Sequence, residues 1–220
     1  DEINAVLIAL NQFATNFSDE EVLQWALIQG PNPDPNNYDT EERLEIAQNL
    51  TGFTDFLTTI GGLDTTMNAM NGTKEMFLDA IYLAVHNIST NLIYPIVDMV
   101  WSGYTSLGWS NKVMESVPPL QDFKVNWRPG VEKIIIVFTD EQPQSYLSPE
   151  LQLNDVKNAV AATTQLKVYT FSRAGSDKSK WEQIAIAGYG KWYQLSNNPT
   201  EMYMNLMQIL NEACLPDGGE

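Results

Sequence analysis

The sequence predicts an α/β fold: a doubly wound, mostly parallel sheet covered by helices, with one antiparallel edge strand and an aromatic-rich insertion. Residues 134–138 are five consecutive apolar residues, four of them β-branched, which indicates a strand buried on both faces. Apolar residues at helical spacing recur before and after this run. Strands that alternate with helices are typical of βαβ units, so we expect a Rossmann-like sheet.

The individual elements follow from the spacing of apolar residues along the chain. Before residue 91 we predict a helix from Ile3 to about Phe17, a strand at 22–29, a Pro- and Asn-rich loop at 30–38, an edge strand at 43–50, and helices at 54–60 and 75–88. After residue 130 we predict strand 133–139, helix 149–163, strand 166–172, helix 180–187, strand 191–196 and helix 200–213.

Residues 91–130 interrupt this alternation and are longer than an ordinary connection. We predict that they form an insertion within a single domain spanning residues 1–220. Its aromatic rings belong to Tyr94, Trp101, Tyr104, Trp109, Phe123 and Trp127. These rings either pack onto the host domain, or those of Trp101, Tyr104, Trp109 and Trp127 form a second contact surface. Because the insertion leaves a helix end and enters the start of strand 133–139, it should lie at the pole opposite that strand's carboxyl end.

Composition narrows the class of partner. The net charge is −16, which disfavours nucleic acid and anionic membrane surfaces, because both are bound through clustered Lys and Arg. Cations and proteins with basic patches are better partners for such a chain. No apolar run approaches the ~20 residues that a membrane span needs, so we predict no membrane span.

A carboxylate follows the buried strand directly. Asp140 comes two residues after Phe138, and ligands of open α/β sheets bind beyond the carboxyl ends of the strands. Asp140 is therefore a candidate metal ligand or catalytic group, and the alternative is a solvated residue that caps the next turn.

Three segments together resemble a von Willebrand factor A-type domain, the fold of integrin I-like domains. IIIVFTDEQPQS resembles the family's strand that ends in Thr-Asp, TTIGGLDTTMNAM its Gly-rich loop, and KEMFLDAIYLAV the helix start of its integrin β-like branch. The resemblance implies a metal-ion-dependent adhesion site that holds Mg²⁺ or Ca²⁺. In that site Asp140 would be the distal aspartate, Thr65 or Thr66 the hydroxyl ligand with Asp64 as an alternative, and Glu75 the glutamate that approaches the metal.

The front of the chain departs from the family pattern. The family begins with a buried strand that runs into Asp-x-Ser-x-Ser, whereas this sequence opens with Asp1 and Glu2 followed by helical spacing. In the resembling fold the absent strand lies between the strands at 22–29 and 133–139. We therefore expect an upstream polypeptide segment, or another chain, to supply it, because two unpaired strand edges would otherwise face each other.

Three function classes remain after this comparison. We favour a non-enzymatic adhesion or protein-recognition module of a cell-surface or extracellular protein, in which the metal binds an acidic side chain of a protein ligand. The alternative is a structural scaffold subunit of a surface assembly with a vestigial metal site. A metal-assisted hydrolase or phosphotransferase is disfavoured, since the sequence contains no G-x-S-x-G, P-loop or H-E-x-x-H motif and its one histidine, His86, lies among apolar residues.

Overall fold

The chain adopts an α/β fold in the computed structural model, which describes residues 2–16, 23–33, 42–61, 77–86, 97–101, 104–105, 108–109, 112–116, 125–145, 151–175 and 177–214. The helices in these ranges are α1 (Glu2–Asn16), α2 (Phe53–Gly61), α3 (Phe77–His86), α4 (Leu153–Ala162), α5 (Lys178–Ala187) and α6 (Pro199–Cys214). The strands are β1 (Trp25–Pro33), β2 (Glu42–Thr51), β3 (Val97–Trp101), β4 (Tyr104–Thr105), β5 (Gly108–Trp109), β6 (Lys112–Ser116), β7 (Lys133–Phe138), β8 (Leu166–Ser172) and β9 (Trp192–Gln194).

A parallel sheet of three strands, in the order β7-β8-β9, forms the centre of the described fold. Lys133 is paired with Leu166 at the start of β7, and Ser172 is paired with Gln194 at the end of β9. Helix α4 connects β7 to β8 and helix α5 connects β8 to β9. Parallel neighbours require such crossovers, so the predicted alternation of strands and helices is confirmed here.

Helices cover both faces of this sheet. Tyr169 and Phe171 of β8 pack into a cluster with residues of α1, α2 and α6. Val168, which directly precedes Tyr169, packs with residues of α3, α4 and α5 on the opposite face. Successive side chains of a strand point to opposite faces, so an uninterrupted apolar run is buried on both sides.

Strands β1 and β2 form a separate antiparallel pair in the described residues. The predicted loop at 30–38 is wrong for residues 30–33, because β1 continues to Pro33, which is paired with Glu42. The register shifts between Gln29 and Asn32, and a strand tolerates proline at such an irregularity. Among the described strands, β1 pairs only with β2 and β7 only with β8.

The predicted boundaries of α4 and β9 also differ from the structure. Helix α4 begins at Leu153 rather than 149, and the backbone N–H of Gln152 donates to Oδ2 of Asp155 at 2.7 Å, which ends the preceding extended segment. Strand β9 covers 192–194 rather than 191–196, because its partner β8 ends at Ser172.

The insertion contains strands of its own. Strands β3 and β6 pair antiparallel, as do β4 and β5. Its last residues return to the host: Nε1 of Trp127 donates to the carbonyl of Ala84 at 3.2 Å, and the backbone N–H of Asn126 donates to Oδ1 of Asn49 at 2.9 Å. No helix in the described ranges combines the length and apolarity needed to cross a membrane.

Candidate functional site

The loop that follows β7 is held by hydrogen bonds on both sides of Asp140. The backbone N–H of Thr139 donates to the carbonyl of Phe171 at 3.0 Å, which extends the pairing with β8 by one residue. Oγ1 of Thr139 accepts from the N–H of Glu141 at 3.0 Å, and Nε1 of Trp181 donates to the carbonyl of Glu141 at 2.9 Å. The side chain of Asp140 is 41% exposed between these anchors, so it is available to a partner.

Arg173 lies beside Asp140 because it follows the neighbouring strand. β7 and β8 are parallel, so the residues after Phe138 and Ser172 meet at one edge of the sheet. Nη2 of Arg173 is 3.3 Å from Oδ2 of Asp140. The same guanidinium bonds both carboxylate oxygens of Glu2, with Nε donating to Oε1 at 3.1 Å and Nη2 donating to Oε2.

The charged side chains at this edge shift one another's pKa values. The hydrogen bond from Arg173 lowers the pKa of Glu2, and partial burial opposes that shift. Burial raises the pKa of Glu141, and the negative charge of Asp140 raises it further. The hydrogen bond to Glu2 raises the pKa of Arg173, so its guanidinium stays charged. The carboxylates of Glu2 and Asp140 therefore lie beside the charged guanidinium of Arg173.

Of the predicted metal ligands, only Asp140 lies in the described residues. Asp64, Thr65, Thr66 and Glu75 fall outside them, so their grouping with Asp140 stays a prediction. The described part of the chain contains no group of three His, Cys, Asp or Glu side chains placed to hold a metal ion.

Within the described residues, the group beside Asp140 is a cation rather than a further oxygen ligand. Mg²⁺ and Ca²⁺ require several oxygen ligands in their coordination shell. Asp140 instead has a guanidinium 3.3 Å away, and a cation bound to the same carboxylate would be repelled by it.

Sequence reasoning missed Arg173 and Glu2. Arg173 directly follows the predicted strand 166–172, so its place at the same edge as Asp140 could have been inferred from the parallel order of the strands. Glu2 has no comparable signal, because its position depends on how α1 packs against α6 and the sheet.

Comparison with known proteins finds a solved structure of similar fold but no matching family. No family model matches the chain, and no curated protein matches it. The solved structure of proximal thread matrix protein 1 from the mussel byssus, in its crystal form 2, is similar over 97% of this chain with a TM-score of 0.54 and 14% identity. The chain covers 43% of that protein's length, so it spans less than half of it. At this identity the likeness concerns the fold alone.

Proposed function

We propose that this chain is a non-enzymatic protein-recognition module of an extracellular or cell-surface assembly, built on a doubly wound fold of the von Willebrand factor A type. The observation that carries the proposal is the fixed, exposed loop around Asp140 at the carboxyl edge of the sheet. Open α/β sheets bind their ligands at this edge. The helices on both faces of the parallel sheet support the same fold assignment.

The extracellular location is supported by the fold likeness. The similar solved structure is, by its title, a thread matrix protein of the mussel byssus. A matrix protein is a structural component, and a module that recognises neighbouring proteins suits that role.

The geometry favours a scaffold mode, in which the chain binds its protein partners without a metal ion. The positive charge of Arg173 already lies at Asp140 and Glu2, as expected for a surface whose metal site is vestigial. The scaffold would then contact its partners through the edge of the sheet and through the insertion, without a bound ion.

Metal-dependent adhesion is the second candidate, and the exposure of Asp140 favours it. In this mode Asp140, together with Glu75, Asp64 and Thr65 or Thr66, would hold Mg²⁺ or Ca²⁺. The ion would supply an open coordination position for an acidic side chain of the protein ligand. This mode requires Arg173 to move away from Asp140.

One experiment separates these modes from each other and from enzymatic activity. The chain is immobilised and tested for saturable binding to purified secreted structural proteins and to itself, in Mg²⁺ and in EDTA. The scaffold mode predicts equal binding in both solutions, and the adhesion mode predicts that EDTA abolishes it. Asp140→Asn should weaken binding in the adhesion mode, whereas the control Glu182→Gln on α5 should not. Turnover of phosphoester or peptide substrates by the same preparation would contradict a non-enzymatic role.

A further inference from the structure

The guanidinium of Arg173 joins three separate parts of the fold. It follows β8, it bonds the first turn of α1 through both oxygens of Glu2, and it lies 3.3 Å from Asp140 in the loop after β7. A planar guanidinium matches a carboxylate in this bidentate way, whereas a lysine ammonium is a point charge and does not. The contact therefore has a defined geometry and links the start of α1 to the edge of the sheet.

The position of the Arg173 guanidinium beside Asp140 bears on whether a metal ion can bind there. A divalent ion at the carboxyl edge would be held by Asp140, because that carboxylate lies just beyond the carboxyl end of β7. The guanidinium approaches the same carboxylate from β8, so the two cations would compete for it. Glu2 holds the guanidinium there through two hydrogen bonds, which keeps it beside Asp140.

We propose that Arg173 is the resident cation of the carboxyl edge: it takes the position of a divalent ion at Asp140, and it fastens helix α1 to the sheet through Glu2. This inference adds detail to the metal-independent scaffold mode. It rests on that proposed function only for what the surface is used for. The ion pair itself is a property of the chain, whichever partner the surface binds.

The expected contribution to stability is small but measurable. The side chains of Arg173 and Asp140 are 56% and 41% exposed, whereas that of Glu2 is 28% exposed. Exposed ion pairs are weak, and a bidentate arginine pair is among the stronger kinds. Loss of the Glu2 contact should therefore lower the melting temperature more than loss of the Asp140 contact.

The test measures Mg²⁺ binding by calorimetry and thermal unfolding in Mg²⁺ and in EDTA for the full chain. Wild type should show no saturable Mg²⁺ binding and the same melting temperature in both solutions. Arg173→Gln should lower the melting temperature by about 1–4 °C, and Arg173→Lys should recover only part of this loss, because lysine keeps the charge but not the fork. Added salt should reduce the difference between wild type and Arg173→Gln.

A matched control removes a different cation near the same loop. Lys180 bonds Asp177 at 2.9 Å and contacts Gln142 at 3.4 Å. Lys180→Gln should leave the Mg²⁺ response of the protein unchanged. If Arg173→Gln gains Mg²⁺ binding that the double variant with Asp140→Asn loses, competition between the two cations is supported directly.

Two results would overturn the inference. The first is saturable Mg²⁺ binding by wild type that Asp140→Asn abolishes, since Asp140 would then be a metal ligand in the presence of Arg173. The second is a melting temperature of Arg173→Gln equal to that of wild type at low salt. The first result would favour the metal-dependent mode over the scaffold mode. Neither result decides whether the chain recognises a protein, which is measured by partner binding, so failure of this inference is distinguishable from failure of the proposed function.

Discussion

The turn between α5 and β9 shows how single residues determine local packing. Gly188 and Gly190 lie against Val168 of β8, and a Cβ atom added at Gly190 would overlap the backbone carbonyl of Val168. Tyr189 between them has φ of 57°, a left-handed conformation that costs a side-chain-bearing residue free energy. The N–H groups of Tyr189 and Gly190 bond the carbonyls of Ile186 and Ala185, which closes the helix end.

Replacement of Gly190 by alanine should destabilise the protein strongly. The new methyl group would meet backbone that cannot rotate away, and overpacking of this kind costs about 1–3 kcal/mol or more. Gly175→Ala is the matched control, because nothing lies within 4 Å of its added Cβ. Urea unfolding of both variants checks the difference, and equal unfolding free energies would contradict this account of the turn.

His86 makes the stability of the fold depend on pH, because its pKa differs between the folded and the unfolded chain. It is the one histidine of the sequence, it donates from Nδ1 to the carbonyl of Tyr82 at 2.7 Å, and its ring lies 3.7 Å from that of Tyr82. Burial lowers the pKa of His86, and the hydrogen bond to Tyr82 opposes the shift in part. The unfolded chain, with the ordinary pKa of about 6.5, therefore binds the proton more readily than the folded chain.

Stability should consequently fall as pH falls through the window below about 6.5. The unfolding free energy of wild type, measured by urea titration between about pH 7.5 and pH 5.5, should decrease, whereas that of His86→Gln should change much less over the same range. A wild-type unfolding free energy that rises as pH falls in this window would show the opposite sign of pKa shift.

At the scale of the element, β7 has the apolar sequence of an interior strand. In the described residues, however, it pairs with another strand, β8, on one side only. Lys133 and Thr139 donate their N–H groups to the carbonyls of Gln165 and Phe171 of the β8 side. In a parallel ladder the N–H groups of Ile134 and Ile136 then point away from β8. Both isoleucines are half-buried against the same cluster as Trp25 and Leu27 of β1. The predicted strand between β1 and β7 remains a prediction.

Amide hydrogen exchange tests the edge of β7. In this chain by itself, the amides of Ile134 and Ile136 should exchange about ten-fold faster than those of Ile135 and Val137, because only the latter pair donates to β8. If a strand from an upstream segment or another chain pairs with β7, all four amides should exchange slowly when it is present. Equal slow exchange in the chain alone would mean that another part of the chain already pairs with this edge.

At the scale of the whole molecule, the insertion returns to the host near the start of β7. Val125 is buried, and the indole of Trp127 is half-buried and bonded to Ala84 at the end of α3. Trp127 therefore anchors the insertion to its host. The side chains of Trp101, Tyr104 and Trp109 lie outside the described part of the chain, so the predicted second contact surface stays a prediction for those three.

Hydroxyl-radical footprinting tests that surface. If the insertion presents its rings to partners, Trp101, Tyr104 and Trp109 should be oxidised rapidly, as exposed aromatic residues are. Trp181, which is 0% exposed, is the internal control for a protected ring. Protection of all three at the level of Trp181 would mean that they fold inward, and the second-interface hypothesis would be wrong.

The local elements could be predicted from the sequence because their periodicities are local. Strand β8 has the predicted bounds, 166–172, and α1 ends at Asn16, one residue before its predicted end. Asp140 could also be placed beyond its strand, since an apolar run followed by Thr-Asp marks a strand end in the sequence itself.

Contacts between distant segments could not be predicted in this way. The extension of β1 to Pro33 depends on pairing with β2, which overrides the turn preference of its Pro and Asn residues. The ion pair between Glu2 and Arg173 was decided by tertiary structure alone, because these two residues are far apart in the sequence. They meet only once parallel strands align their carboxyl ends and α1 packs against the same edge, and the packing of the whole sheet sets both conditions.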